Sequence, residues 1–259
     1  MPTLSTPTGT LHYLLDGPAG APVVVLSNSL GTDHTMWNAQ VPELSAHFRV
    51  LRYDGRGHGR SVVSPGPYTV AQLGQDVLAL LDELAIPQAH FCGLSLGGLV
   101  GQWLGAQAPE RLRKLVLCNT AVKIGDAAGW NARIAQVEAD GLAGLAEATA
   151  ARWFTPPFRR TQPEAVAPIL DVFRVTSPAG YAACCAAVRD ADFWQDIRRI
   201  PVPTQVFAGD EDPVTTEAQG QFLEHYIPRA HLVVLRAAHL SNVEAARPFT
   251  AALLRFLKA

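Results

Sequence analysis

Gly93-Leu94-Ser95-Leu96-Gly97 places a serine between glycines, directly after Ala89-His90-Phe91-Cys92, an apolar stretch that reads as a buried strand. A helix is expected to begin near Leu96. A serine in a strand-to-helix turn takes strained dihedrals, and small neighbours let the chain turn sharply enough to lift the hydroxyl clear of a sheet. The spelling alone is common in loops. Its context makes Ser95 a candidate nucleophile for acyl transfer.

A serine hydroxyl is a weak nucleophile at neutral pH, so it needs a base within hydrogen-bond reach and an acid that orients the base. On a nucleophile turn of this kind the chain order is serine, acid, histidine. Gln205-Val206-Phe207-Ala208 reads as a strand running into Gly209-Asp210-Glu211-Asp212-Pro213, a turn loaded with carboxylates. Asp212, deepest in that loop and just ahead of the rigid Pro213, is expected to be the orienter by analogy with the motif. Asp210 and Glu211 read as turn residues or solvated charge. Of the eight histidines, only His225, His231 and His239 follow this acid. His225 falls on a helical face with Phe222 and Leu223, and His231 opens a strand. His239 lies just past the strand Leu232 to Leu235, in a loop ahead of a closing helix, and is expected to be the base.

Acyl transfer puts negative charge on the former carbonyl oxygen, which preorganised donors must meet. The backbone N–H of Leu96, at the helix start, is one candidate. The loop after the strand Val23 to Leu26, Ser27-Asn28-Ser29-Leu30-Gly31, is expected to supply another. The glycine-rich run Asp54 to Ser61 lacks the Lys-Ser/Thr of a phosphate loop and does not match G-x-G-x-x-G, so it reads as a structural loop beside this one. No His/Cys/Asp cluster has metal spacing, and the chemistry requires neither metal nor cofactor.

The elements that must position these groups alternate. Leu11 to Leu15, the β-branched run Pro22 to Ser27, Phe48 to Tyr53, Ala89 to Cys92 and Leu115 to Asn119 read as strands. Tyr68 to Leu84 carries helical periodicity with Thr69 as its N-cap. Strands alternating with helices imply a mostly parallel α/β sheet. Between about Ile124 and Ile200 the strands disappear and Ala-rich helical stretches replace them: Trp130 to Phe154, Glu164 to Val175 and Ala179 to Val188. Pro156-Pro157, Pro163 and Ser177-Pro178 punctuate them. A helical insertion between two strands of a parallel sheet reads as a lid over the strands' C-terminal edge, where sites of such folds lie. The expected division is core 1–123, lid 124–200 and core 201–259.

With 259 residues, 48% hydrophobic and 17% charged, the chain has enough apolar content for one full core. A formal net charge of -2 offers no basic field for nucleic acid. Residues 1–10 carry no leader signature and no apolar run is long enough to span a bilayer, so a cytoplasmic protein without a membrane partner is expected. The four cysteines lack metal or redox spacing and read as reduced structural thiols.

Taken together, Asp54-x-Arg56-Gly57-x-Gly59-x-Ser61, Gly93 to Gly98, Gly209-x-x-Asp212 and His239 resemble the α/β-hydrolase superfamily over essentially the whole chain. Leu26 to Thr32, Phe91 to Ser95, Leu117 to Ala121, Arg152-Trp153-Phe154 and His239 to Asn242 look like the 3-oxoadipate enol-lactonases, which open a lactone in aromatic degradation. The resemblance implies an α/β-hydrolase fold with its lid after the sixth strand. Leu30 then occupies the position whose N–H points into the oxyanion hole, although Asn28-Ser29 stands where relatives have His-Gly. Leu96 stands where many relatives have Met. The implied partner is a small lactone or ester; its free carboxylate calls for a cation in the lid, with Arg133 and Arg152 as candidates and Trp130 and Trp153 as apolar walls. Other readings stay open on this scaffold: a general carboxylesterase, a perhydrolase-type enzyme, a carbon-carbon bond hydrolase, or a ligand-sensing protein.

Overall fold

A computed structural model describes residues 3–6 and 9–259. The leader reading covers residues 1–10, of which Met1, Pro2, Pro7 and Thr8 lie outside the described residues. The strands are β1 (Thr3–Thr6), β2 (Gly9–Asp16), β3 (Val23–Ser27), β4 (Arg49–Tyr53), β5 (Ala89–Leu94), β6 (Leu112–Cys118), β7 (Thr204–Gly209) and β8 (Ala230–Leu235). They form one sheet in the order β1-β2-β4-β3-β5-β6-β7-β8. β1 and β2 run antiparallel to their neighbours, and every pairing from β4 to β8 is parallel. The central strands are covered on both faces: every residue of β5 and of β7 is buried. That burial explains the apolar runs Phe91 to Leu94 and Val206 to Ala208, since a strand with no solvent face has no reason to alternate.

Helices α1 (Val41–Ser45), α2 (Val70–Glu83), α3 (Leu96–Gln107), α9 (Glu217–Tyr226), α10 (Ser241–Glu244) and α11 (Ala246–Lys258) belong to this layered body. The remaining helices, α4 (Ala127–Asp140), α5 (Ala146–Trp153), α6 (Pro156–Thr161), α7 (Pro163–Val175) and α8 (Pro178–Asp190), all lie between β6 and β7 in sequence. Thr69 caps α2 by accepting from the Gln72 N–H, as its sequence predicts. Among the described residues, no helix is long and apolar enough to cross a membrane.

Three details differ from the sequence reading. The first strand is Thr3–Thr6, so Leu11 to Leu15 falls in the second; a four-residue polar edge strand has little hydrophobic signal to find. The stretch Trp130 to Phe154 is not one helix, because Gly141 at φ +70° ends α4 and a 3-10 turn at Ala143–Leu145 precedes α5. Pro156-Pro157 opens α6 rather than interrupting structure: the Thr155 side chain accepts from the Phe158 N–H, and prolines in a first turn lose no helical hydrogen bond.

Candidate active site

The parallel strands end on one side of the sheet, and their loops supply the candidate groups. Ser95 sits between β5 and α3 at φ +57° and ψ -110°, a conformation that costs a non-glycine residue about 1–3 kcal/mol. Neighbouring contacts hold it there. Its N–H donates to the Cys118 carbonyl at 2.9 Å, and its carbonyl accepts from the Thr120 hydroxyl at 2.9 Å and from the Leu99 N–H at 3.0 Å. A Cβ at position 93 would run into the Gly97 carbonyl, and one at 97 into the Ser27 carbonyl. The two glycines flanking Ser95 are therefore required by backbone approaching backbone.

Asp212 follows β7 and His239 follows β8, both nearly fully buried. His239 Nδ1 donates to Asp212 Oδ2 at 2.9 Å. The same carboxylate accepts from the Val214 and Thr215 N–H groups at 2.8 and 3.0 Å, the Thr215 hydroxyl at 2.8 Å and Asn119 Nδ2 at 3.0 Å. Burial alone would raise the Asp212 pKa. The facing His239 charge and the hydrogen bonds from His239, Asn119 and the Thr215 N–H outweigh it, holding the carboxyl at about 2. An acid so held stays ionised and fixes the imidazole with its Nε2 free of that bond. Asp210 and Glu211 are both exposed. Asp210 accepts from the Ala237 N–H at 3.1 Å, which fastens the histidine loop without touching the imidazole. His225 and His231 are exposed.

Asn119 was given no role from sequence, yet it connects three strand ends. Buried at φ +44°, it bonds Asp212 and the Ala238 carbonyl through Nδ2, and its Oδ1 accepts from the Ser241 hydroxyl at 2.5 Å. An asparagine tolerates that left-handed backbone better than most side chains do, which is the one cue its type offered.

The proposed oxyanion donors are distinguished by what surrounds them. Ser95 and Gly97 N–H groups donate to Cys118 and Asn28 carbonyls. Ser29 and Gly31 N–H groups donate to Met36 Sδ at 3.3 Å and His58 Nε2 at 2.8 Å. Between these occupied pairs, the Leu96 and Leu30 N–H groups meet no acceptor among the described residues.

A cavity of about 360 Å³ opens above Ser95 and His239, and Leu30, Trp130, Arg133, Arg152 and Trp153 all line it. The insertion helices α4 and α5 thus bring Trp130, Arg133, Arg152 and Trp153 to the same space as the serine. Thr149, Tyr181, Val188, Pro213 and Val214 also line it and were not singled out beforehand, since nothing in their local sequence separates them from ordinary helix or loop residues. Trp153 is buried edge-on against Phe173, with ring centroids 5.5 Å apart, and so serves as both wall and core. Trp130 donates its Nε1–H to the Ile124 carbonyl at 2.6 Å.

Neither Arg133 nor Arg152 makes an ion pair among the described residues. Arg133 Nη1 is buried without a hydrogen-bond partner, and Arg152 reaches only the Thr149 hydroxyl at 3.2 Å. Burial and the neighbouring Arg133 charge both lower the Arg152 pKa. The one carboxylate lining the cavity, Asp126, caps α4 by accepting from the Gly129 N–H at 2.8 Å. Two like charges on one cavity, with Asp126 engaged at the start of α4 and in no ion pair with either, favour an anionic ligand. The helical insertion is tied to the histidine loop: the Leu240 N–H donates to the Trp153 carbonyl at 3.0 Å, and the Glu244 carboxylate takes the Thr155 hydroxyl and the Ala238 N–H.

The structure also gathers His12, His34 and Asp54, three segments far apart in sequence, into a group with metal-ligand atom types. Asp54 Oδ1 accepts from the His34 N–H and Nδ1, and Oδ2 from His12 Nδ1 and the Arg60 N–H. Four nitrogen donors account for the carboxylate's lone pairs, which makes it a hydrogen-bond hub for the loop after β4. Cys92 and Cys118 are buried free thiols on adjacent strands. Burial pushes the Cys184 thiol up, and Cys185 to about 12, so both stay protonated and inert.

Comparison with known proteins follows the same line. The profile of the alpha/beta hydrolase family matches residues 20–252. The chain is 46% identical to 3-oxoadipate enol-lactonase 2 of Acinetobacter baylyi, over 99% of this chain and 96% of that protein. It is 33% identical to a protein of Variovorax paradoxus named as a carbamate hydrolase, RutD, over 95% of this chain and 96% of the other. The crystal structure of the enol-lactonase from Burkholderia xenovorans superposes with a TM-score of 0.98 at 45% identity, with all of both chains covered.

Proposed function

The chain belongs to the alpha/beta hydrolase family and is a carboxylic ester hydrolase, and from that premise we propose that it opens 3-oxoadipate enol-lactone to 3-oxoadipate in aromatic catabolism. Ser95, Asp212 and His239 act as nucleophile, orienting acid and base. His239 Nε2 takes the Ser95 proton as Oγ attacks the lactone carbonyl, and the Leu30 and Leu96 N–H groups receive the developing oxyanion. The ring C–O bond then breaks, and the enol oxygen leaves with the proton that His239 returns. Tautomerisation of that enol to a ketone draws the step forward. A water that His239 deprotonates attacks the acyl-serine, and the proton goes back to Ser95 as the dicarboxylate forms.

The observation that carries this reading is the pair Arg133 and Arg152, neither in an ion pair among the described residues, in the same cavity as Ser95 and His239. A neutral ester has no charge for two guanidinium groups to pair with. A lactone bearing a free carboxylate does, with Trp130 and Trp153 bounding its apolar ring. The test is a side-by-side assay of enol-lactone loss and p-nitrophenyl acetate hydrolysis. A higher kcat/KM on the lactone is expected. Preference for the neutral ester by orders of magnitude would reject the lactone and leave a general carboxylesterase.

A further inference from the structure

The loop carrying Leu30 is held on one side by the glycine-rich run after β4. His58 is buried in that run, and its Nε2 accepts the Gly31 N–H at 2.8 Å. A backbone N–H can only donate, so Nε2 carries no proton. Nδ1 is then the protonated nitrogen, and it faces the Arg56 carbonyl at 3.2 Å. Burial lowers the His58 pKa against the opposing pull of that carbonyl and of Asp54 and Asp33, which keeps the ring neutral.

Both ends of this contact are anchored. Asp54 is the four-donor hub described above, and Arg56 makes a buried two-pronged ion pair with Asp76 at 2.6 and 2.8 Å. On the other side Gly31 has φ +81°, and a Cβ there would press on Phe173 and Tyr181 at 2.8 and 3.0 Å. No side chain at position 31 can steady the loop, so steadiness has to come from the backbone. The anchor one residue before Leu30 is the soft Ser29 N–H to Met36 sulfur contact. The anchor one residue after it is His58.

We infer that His58 is a positioning residue that sets the Leu30 N–H for the oxyanion by fixing the adjoining Leu30–Gly31 peptide. The inference rests on the reading of Leu30 as an oxyanion donor. It assigns chemistry to a histidine that touches neither substrate nor the reacting atoms. Its effect belongs to the transition state, because a ground-state carbonyl needs the donor far less than the tetrahedral oxyanion does.

Two variants separate positioning from bulk structure. In His58→Asn the amide can still donate to the Arg56 carbonyl but is too short to reach Gly31. In His58→Gln the side-chain oxygen can reach the place of Nε2 and accept the Gly31 N–H. Turnover of p-nitrophenyl acetate, inhibition by phenylboronic acid and the melting temperature are measured for each. A neutral chromogenic ester is used so that the outcome does not depend on the lactone assignment. For H58N, kcat is expected to fall roughly 10- to 100-fold with KM within about 3-fold, as for a misplaced oxyanion donor. Boronate affinity should weaken in the same proportion, and H58Q should recover most of both. Wild-type kcat and boronate affinity in H58N would overturn the inference, as would an H58Q as slow as H58N at unchanged melting temperature. If the unmodified protein neither turned over the ester nor bound the boronate, the Ser95 reading would fall and take this inference with it.

Discussion

Two ends of one cavity are built on opposite terms. At the sheet end, Asp212 has five donors on its two oxygens, and Asn119, Thr215 and Ser241 extend that network until each polar side chain has a partner. At the other end, half-buried Arg133 and Arg152 share the space without an ion pair, and one guanidinium nitrogen is buried with no acceptor. The contrast separates preorganisation from recognition. Under the proposed function, groups that must hold one geometry through a reaction are fully satisfied by the protein, and groups that would bind an anion are left for the anion to satisfy. Damage to the first end should therefore appear in kcat for every substrate, and damage to the second in KM for charged substrates only.

Four experiments would break or sharpen that division. Ser95→Ala should reduce ester and lactone turnover by on the order of 10⁵-fold or more while circular dichroism stays that of the wild type. Retained turnover in steady-state assays would remove Ser95 from the mechanism. Asp212→Asn should lower kcat by roughly 10⁴-fold on both substrate types, because the imidazole loses its oriented tautomer. A loss confined to the anionic lactone would instead place Asp212 in binding. Arg133→Ala and Arg152→Ala should each raise KM for the lactone by about 10-fold, the scale of one charge-assisted contact, and leave p-nitrophenyl acetate kinetics unchanged.

The smallest effect concerns stability. The Asp212 carboxyl is held at about 2 in the folded protein against an ordinary 3.8. A depressed carboxylate pKa stabilises the fold at pH values above the unfolded value, and this contribution is lost as pH falls from about 4 towards 2. Urea titrations of wild type and Asp212→Asn should thus differ most near pH 5 and converge towards pH 2. A gap that widens on acidification would contradict the assigned charge.

Sequence made the sheet end far more legible than the lid end, for physical reasons. Ser95 announces itself because backbone contacts at 93 and 97 admit only glycine, and a fully buried strand must precede it. Asp212 and His239 follow the apolar runs Val206 to Ala208 and Leu232 to Leu235, so their polar loops stand out. Asn119 and His58 did not stand out, because what they do depends on which loops meet across the sheet. The meeting of Asp54 with His12 and His34 is not legible for the same reason. In the lid, alanine-rich stretches predict helix through propensity but say little about which face looks inward. There the boundary at Gly141 and the start of α6 at Pro156 were missed, and Tyr181 could not be told from a core tyrosine. Arg133 and Arg152 are candidates because of the charge an expected substrate needs, which is an argument from chemistry rather than from pattern; both line the cavity.

The division between a satisfied catalytic end and an unsatisfied binding end is tested most directly by one ratio. It is kcat/KM on the enol-lactone over kcat/KM on p-nitrophenyl acetate, compared between wild type and the double variant Arg133→Ala/Arg152→Ala. The ratio should fall by roughly 100-fold, two charge-assisted contacts at about tenfold each, with the ester value itself unmoved. An unchanged ratio, or an equal loss on both substrates, would mean that the lid arginines do not read the substrate's charge.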